Sequence, residues 1–272
     1  MNFHKSFIFG FSFPLGWGGM IGAQQDQEVL TMAQNIQCCF ERYEKKYLIS
    51  PAQYRALTAG MAGHMRPDEY GRYTICNLYY DTPQYDLIRA SLDKPVYKEK
   101  LRVRSYGVPG DGDPVFVELK KKFEGVVYKR RTLLPAAEAA GRLTQALRGR
   151  RENQICREID WFLSQVQPEA RVFIAYDREA LAGVEDNGLR VTFDTNLRWR
   201  NWRMDLRAGD SGTLLLPSET ILMEIKIPGA APVWLSRLLS RCGVFPTTFS
   251  KYGLCYRQHL AARLAEEVRA CA

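Results

Sequence analysis

Four cations at alternate positions, Lys98, Lys100, Arg102 and Arg104, fall on one face of an extended stretch whose other face holds Tyr97, Leu101 and Val103, because side chains alternate along a strand. Like charges in such a row repel, yet the arrangement recurs. Glu118, Lys120 and Lys122 oppose Val117 and Leu119, while Lys129 and Arg131 share a face with Val127. Arg178 lies with Tyr176, and Arg190, Thr192 and Asp194 oppose Leu189, Val191 and Phe193. Glu224 and Lys226 oppose Met223, Ile225 and Ile227, and Arg42, Glu44 and Lys46 share a face near the start. These faces carry thirteen cations and the four carboxylates Glu44, Glu118, Asp194 and Glu224. If they converge, the resulting interior is tolerable only when hydrated and filled by a polyanion, since unpaired buried charge is costly. A chain of phosphates fits best: its oxygens accept forked hydrogen bonds from Arg and point-charge contacts from Lys. Carboxylates among so many cations, Glu118 and Glu224 in particular, are then best explained as ligands for a hard divalent ion such as Mg²⁺ or Mn²⁺.

Eight strands must position these faces, near residues 41 to 49, 73 to 80, 96 to 106, 114 to 122, 125 to 133, 170 to 179, 188 to 200 and 219 to 227. Eight strands suffice to close a barrel, with the apolar faces turned outward against helices and the charged faces lining the lumen. Ser50-Pro51 predicts a helix to about Met61, and Thr82-Pro83 a shorter one through Ser91. Pro135 opens an Ala-rich helix to Leu147, and Ile155, Ile159, Phe162 and Val166 make a core-facing stripe on the next. Two more helices are expected near 232 to 241 and 251 to 267. The fold class is therefore α+β: a closed, antiparallel, eight-stranded β-barrel with flanking helices.

The rest of the chain narrows the function. At 272 residues and a formal net charge of +8 it suits one sizeable domain with an anionic partner. Seven cysteines with no C-x-x-C suggest neither a disulfide framework nor a zinc site and fit a reducing cytoplasm. The three histidines make no catalytic triad pattern, and no helix-turn-helix or zinc-finger pattern suggests a reader of duplex nucleic acid. Residues 1 to 37 differ in character: Ser6 to Ala23 is uncharged but contains five glycines and Pro14. They read either as a non-native or disordered extension or as a signal or membrane-contacting segment, with residues 38 to 272 forming the domain.

The segments RYEKKYLIS (42 to 50), NLYYDTPQYD (77 to 86), YKEKLRVRSYG (97 to 107), FVELKKKFEGVVYKRR (116 to 131), YDRE (176 to 179), LRVTFD (189 to 194), MEIKI (223 to 227) and FSKY (249 to 252) follow the order seen in polyphosphate polymerase domains of the VTC type. The chain resembles such domains over about Phe40 to Tyr256. They belong to the triphosphate tunnel superfamily, which also contains triphosphatases and class IV adenylate cyclases. The resemblance implies transfer of the γ-phosphoryl group of ATP onto polyphosphate with Mn²⁺ or Mg²⁺. Lys46, Arg102, Arg104, Lys120, Lys129, Arg178, Arg190 and Lys251 match triphosphate-binding positions, and Glu224 matches the metal-binding glutamate. In the run KRR, Lys129, Arg130 and Arg131 compete for the inward position. The superfamily commonly opens with E-x-E-x-K, and here the stretch reads Arg42, Glu44, Lys46. A cation in place of one carboxylate holds a second metal less well and favours transfer over hydrolysis. Without a membrane-spanning helix beyond the doubtful leader, export of polyphosphate would need a separate membrane protein.

Overall fold

The structure is a computed structural model that describes residues 43–124, 126–262 and 264. The expectations for the leader and for Arg42 lie outside the described residues. Nine strands form one antiparallel sheet: β1 (Tyr43–Ile49), β2 (Met65–Asp81), β3 (Tyr97–Tyr106), β4 (Pro114–Phe123), β5 (Val126–Pro135), β6 (Glu169–Gly183), β7 (Arg190–Arg200), β8 (Thr213–Leu214) and β9 (Ile221–Ile227). Their order is β1-β9-β7-β6-β2-β3-β4-β5, with the short β8 attached to β7. The alternation read from the sequence holds. Leu101, Val103, Val117 and Leu119 are buried under one set of helices, and Tyr47, Val191, Phe193, Met223 and Ile225 under another.

Two expectations are corrected. Among the described residues there are nine strands rather than eight, because the two-residue β8 carries no alternation to announce it. The sheet also does not close into a barrel: β5 and β1 are its two ends. The outer edge of β1 is already taken, since Thr247 donates its backbone N–H to the Lys46 carbonyl at 2.7 Å. Lys46 Nζ also donates to the Phe249 carbonyl, at 3.2 Å. A strand offers one row of backbone groups on each side, and at Lys46 the row that β5 would need is taken by Thr247.

Helices cover the apolar face. α1 (Pro51–Met61) starts where the sequence places it, with Ser50 and Gln53 exchanging capping-box hydrogen bonds. α2 spans Asp86–Leu92 and does not begin at Thr82-Pro83. The buried Asp81 carboxylate instead accepts from the N–H groups of Thr82, Leu87 and Ile88 and from the Tyr252 hydroxyl, at 2.8 to 3.0 Å. Tyr85 takes φ 60° to turn the chain into the helix. The expected Ala-rich helix is two, α3 (Ala136–Ala140) and α4 (Leu143–Arg148), parted at Gly141. α5 (Gln154–Val166) buries Ile159 and Phe162 as read. α6 (Val233–Arg241) packs on α1, and α7 (Lys251–Cys255) runs on into a π-helical turn, Tyr256–Leu260. α7 and that turn lie against Ile75, Tyr79, Tyr176 and Leu222, which belong to the charged side of the sheet and cover one end of it.

Candidate functional site

The sheet curls until its ends face each other. Lys120 on β4 feels the charges of Glu44 and Lys46 on β1 and of Glu224 on β9. Lys226 on β9 likewise feels Arg104 on β3. Strands remote in the sheet order thus present their charged faces to one trough, which gathers the cations the sequence marked.

Two buried carboxylates organise them. Glu118, 1% exposed, receives Arg102 Nε and Nη2 on Oε2, each at 2.7 Å. Lys129 Nζ and Arg131 Nε lie 2.7 and 3.2 Å from its Oε1, and Arg104 Nε is 4.0 Å from Oε2. Burial alone would raise the Glu118 pKa, but Arg102, Arg104 and Lys129 hold it well below the usual carboxylate range. The second hub is Asp194, opposite Arg178 across β6 and β7. Arg178 donates to both its oxygens at 2.7 and 2.8 Å, and Lys251 Nζ, at the first turn of α7, lies 2.7 Å from Oδ2. Asp194 is pushed up by burial and pulled further down by Lys251 and Arg178, so it stays ionised. Arg104 is aimed by Asn77, whose Oδ1 accepts from Nε at 2.9 Å and whose Nδ2 donates to the Ile174 carbonyl. Arg-carboxylate forks of this kind fix guanidinium planes before any ligand arrives.

Several lysines of the trough are pulled the other way, toward the neutral form. Lys100 is lowered to about 8, first by burial and then by Lys98, Lys120, Lys46 and Arg102. Lys129 is also lowered to about 8, burial and nearby arginines outweighing Glu118. Lys98, Lys120 and Lys226 shift the same way, with burial the largest cause in each. Neighbouring cations add to the effect of burial most clearly at Lys98 and Lys100, and a bound polyanion would oppose the shift. Arg190 is more open, 45% exposed, with Nη2 3.7 Å from Asp68 Oδ2. In the KRR run, Lys129 and Arg131 face Glu118 while Arg130 turns to Glu158 of α5 at 2.8 Å.

Glu224 stands apart from Glu118. Burial would raise its pKa, but Lys226, Lys251, the neighbouring Glu44 and Lys46 keep it well below the carboxylate range. Arg178 Nη2 is 3.9 Å from Glu224 Oε2, and Lys46 Nζ is 3.1 Å from Glu44 Oε1. No group of three or more metal-ligating side chains exists among the described residues. Two adjacent carboxylates still suit a hard divalent cation of the Mg²⁺ type, which takes one or two carboxylates and fills its remaining positions with water and phosphate oxygens. No signal in the sequence singled out Asn77, and the alternation placed Asp194 and Tyr176 on the charged faces without showing that they hold Arg178 and Lys251. Tyr176 is buried with Lys251 Nζ 4.3 Å from its ring centroid, and its place in YDRE beside Arg178 was the available signal.

A model of the VTC domain matches residues 41–260. The chain belongs to the VTC domain family. No curated protein matches it. Among solved structures, this VTC domain is similar to a candidate adenylate cyclase from Vibrio parahaemolyticus, with 13% identity and a TM-score of 0.45 over 80% of this chain and 98% of that one. It is also similar to a candidate adenylyl cyclase from Hippeastrum with a dominant triphosphatase activity, at 17% identity and a TM-score of 0.47 over 80% and 95% of the two chains. Neither reaches a TM-score of 0.5, so membership rests on the domain match alone.

Proposed function

We propose that this VTC domain is an ATP-dependent polyphosphate polymerase. A terminal phosphate oxygen of the growing chain bonds to the γ-phosphorus of ATP as the bond to the β–γ bridging oxygen breaks, and ADP leaves. Such transfers proceed through a loose transition state, so positioning and charge neutralisation do most of the catalysis and no protein nucleophile is required. Arg102, Arg104, Arg178 and Arg190 clamp phosphates, while Lys46, Lys100, Lys120, Lys129, Arg131 and Lys226 neutralise them. Lys251 is fixed by Asp194 beside Tyr176, at the end of the trough that α7 covers.

The observation that carries this reading is a concave face of excess cations, part of them locked in place by the buried Glu118 and Asp194. Glu224 with Glu44 would hold Mn²⁺ or Mg²⁺. A bound divalent ion polarises the γ-phosphate and steadies developing charge. Glu118 has both oxygens against cations, so its role in this reading is to hold Arg102, Lys129 and Arg131 rather than a metal. No helix among the described residues is long and apolar enough to cross a membrane, and a separate membrane protein would carry any export. Incubation of the purified protein with ATP, Mn²⁺ and a pyrophosphate primer, followed by gel electrophoresis, is expected to give long polyphosphate and ADP. Free phosphate alone, a cyclic nucleotide or no product would refute it.

A further inference from the structure

The trough has two chemically different ends. Along β3 the inward side chains run Lys98, Lys100, Arg102, Arg104, Tyr106, and along the antiparallel β4 they run Phe116, Glu118, Lys120, Lys122. Along these two strands the lysines therefore gather at one end and the aromatic rings at the other. Register places Phe116 opposite Arg104, Tyr106 opposite Ile75, and Tyr73 opposite Arg178. The rings touch in series: Tyr70 to Tyr73 at 6.1 Å between centroids, Tyr73 to Tyr106 at 5.8 Å and Tyr106 to Phe116 at 5.6 Å, all edge to face. The Arg131 guanidinium then caps Phe116 at 3.4 Å.

A packing role accounts poorly for this series, because Tyr70 is 66% and Tyr106 52% exposed. Rings serving only the core would be covered. Phosphates gain little from a ring face, whereas a nucleobase gains by stacking whatever its sequence identity. Tyr106 lies two residues, about 7 Å, beyond Arg104 along the strand, close to the reach of a ribose between base and phosphate. We infer that the Tyr73–Tyr106–Phe116 end is a stacking platform for the base of the nucleoside triphosphate, so that the triphosphate points from the aromatic end toward the lysine end. This rests on the triphosphate-binding reading above and adds an orientation to it. Stacking without base-edge contacts also makes the platform tolerant of the base.

Titration calorimetry of the full chain with ATP and with inorganic tripolyphosphate, both without metal, tests it. Tyr106→Ala is expected to weaken ATP binding about tenfold and to leave tripolyphosphate affinity unchanged. Tyr106→Phe, which keeps the ring, should preserve both affinities and so separates stacking from folding. Unchanged ATP binding in Tyr106→Ala would overturn the platform, as would an equal loss for both ligands. If the wild-type chain binds neither ligand, the triphosphate reading falls and the platform with it. If the wild type binds both and Tyr106→Ala spares both, only the platform falls.

Discussion

Glu118→Gln is expected to destabilise the ligand-free protein and to make it unusually dependent on a polyanion. Glu118 is 1% exposed and contacts Arg102, Lys129 and Arg131 within 3.2 Å. Removing one partner of a buried ion pair costs about 3 to 5 kcal/mol, because the other charge is left unpaired. Here Lys129 is 45% exposed and Arg102 25%, so water recovers part of the loss. The lower bound, ~3 kcal/mol, is the better expectation and corresponds to a fall of about 6 to 12 °C in Tm for a domain of this size. Saturating tripolyphosphate supplies the missing negative charge, so its stabilising shift should be larger in the variant than in the wild type. The pH dependence follows in sign. A carboxylate whose folded pKa is depressed contributes stability above its unfolded pKa, near 4.3, and loses that contribution as pH falls through the folded value. The wild-type advantage over Glu118→Gln should therefore be full at neutral pH and shrink progressively below about pH 5. Differential scanning fluorimetry with and without tripolyphosphate reads all three effects. A variant within about 2 °C of wild type, or with no larger ligand shift, would refute the idea that Glu118 holds the cation cluster together.

Glu224→Gln should bind ATP as tightly as the wild type or more so, having lost a negative charge near the triphosphate, while turnover falls by about two to three orders of magnitude; calorimetry and product gels check this, and wild-type turnover with undiminished Mn²⁺ dependence would contradict it. Arg102→Ala should show the opposite pattern, mainly weaker nucleotide binding. Lys100 and Lys129, lowered to about 8, gain protons when an anion binds beside them. Tripolyphosphate affinity should accordingly fall as pH rises through about 8 to 9.5, with proton uptake visible as buffer-dependent binding heat. Because the family match starts at residue 41, a chain beginning at Gln37 should fold and turn over ATP as the full chain does; circular dichroism and the product gel decide it.

The inward placement of Lys98, Lys100, Arg102 and Arg104 was legible in the sequence because a strand's side chains alternate with period two, and an apolar row on one face fixes where the other must point. The same logic separated Glu224 and Lys226 from Ile225, and the Ser50-Pro51 signal placed α1, since capping is local chemistry. Partner choice was not legible. That Lys129 and Arg131 meet Glu118 while Arg130 turns to α5 depends on the register of the β4–β5 hairpin and on the packing of α5, and that Lys46 lies opposite Glu224 depends on register between strands far apart in sequence. The start of α2 was misplaced because its capping carboxylate, Asp81, closes the preceding strand and is shared with Tyr252, 171 positions away. The open edge of the sheet was decided in the same way: alternation says which way side chains point but nothing about which backbone takes a strand's free hydrogen-bonding row, and at β1 that row went to Thr247 rather than to β5.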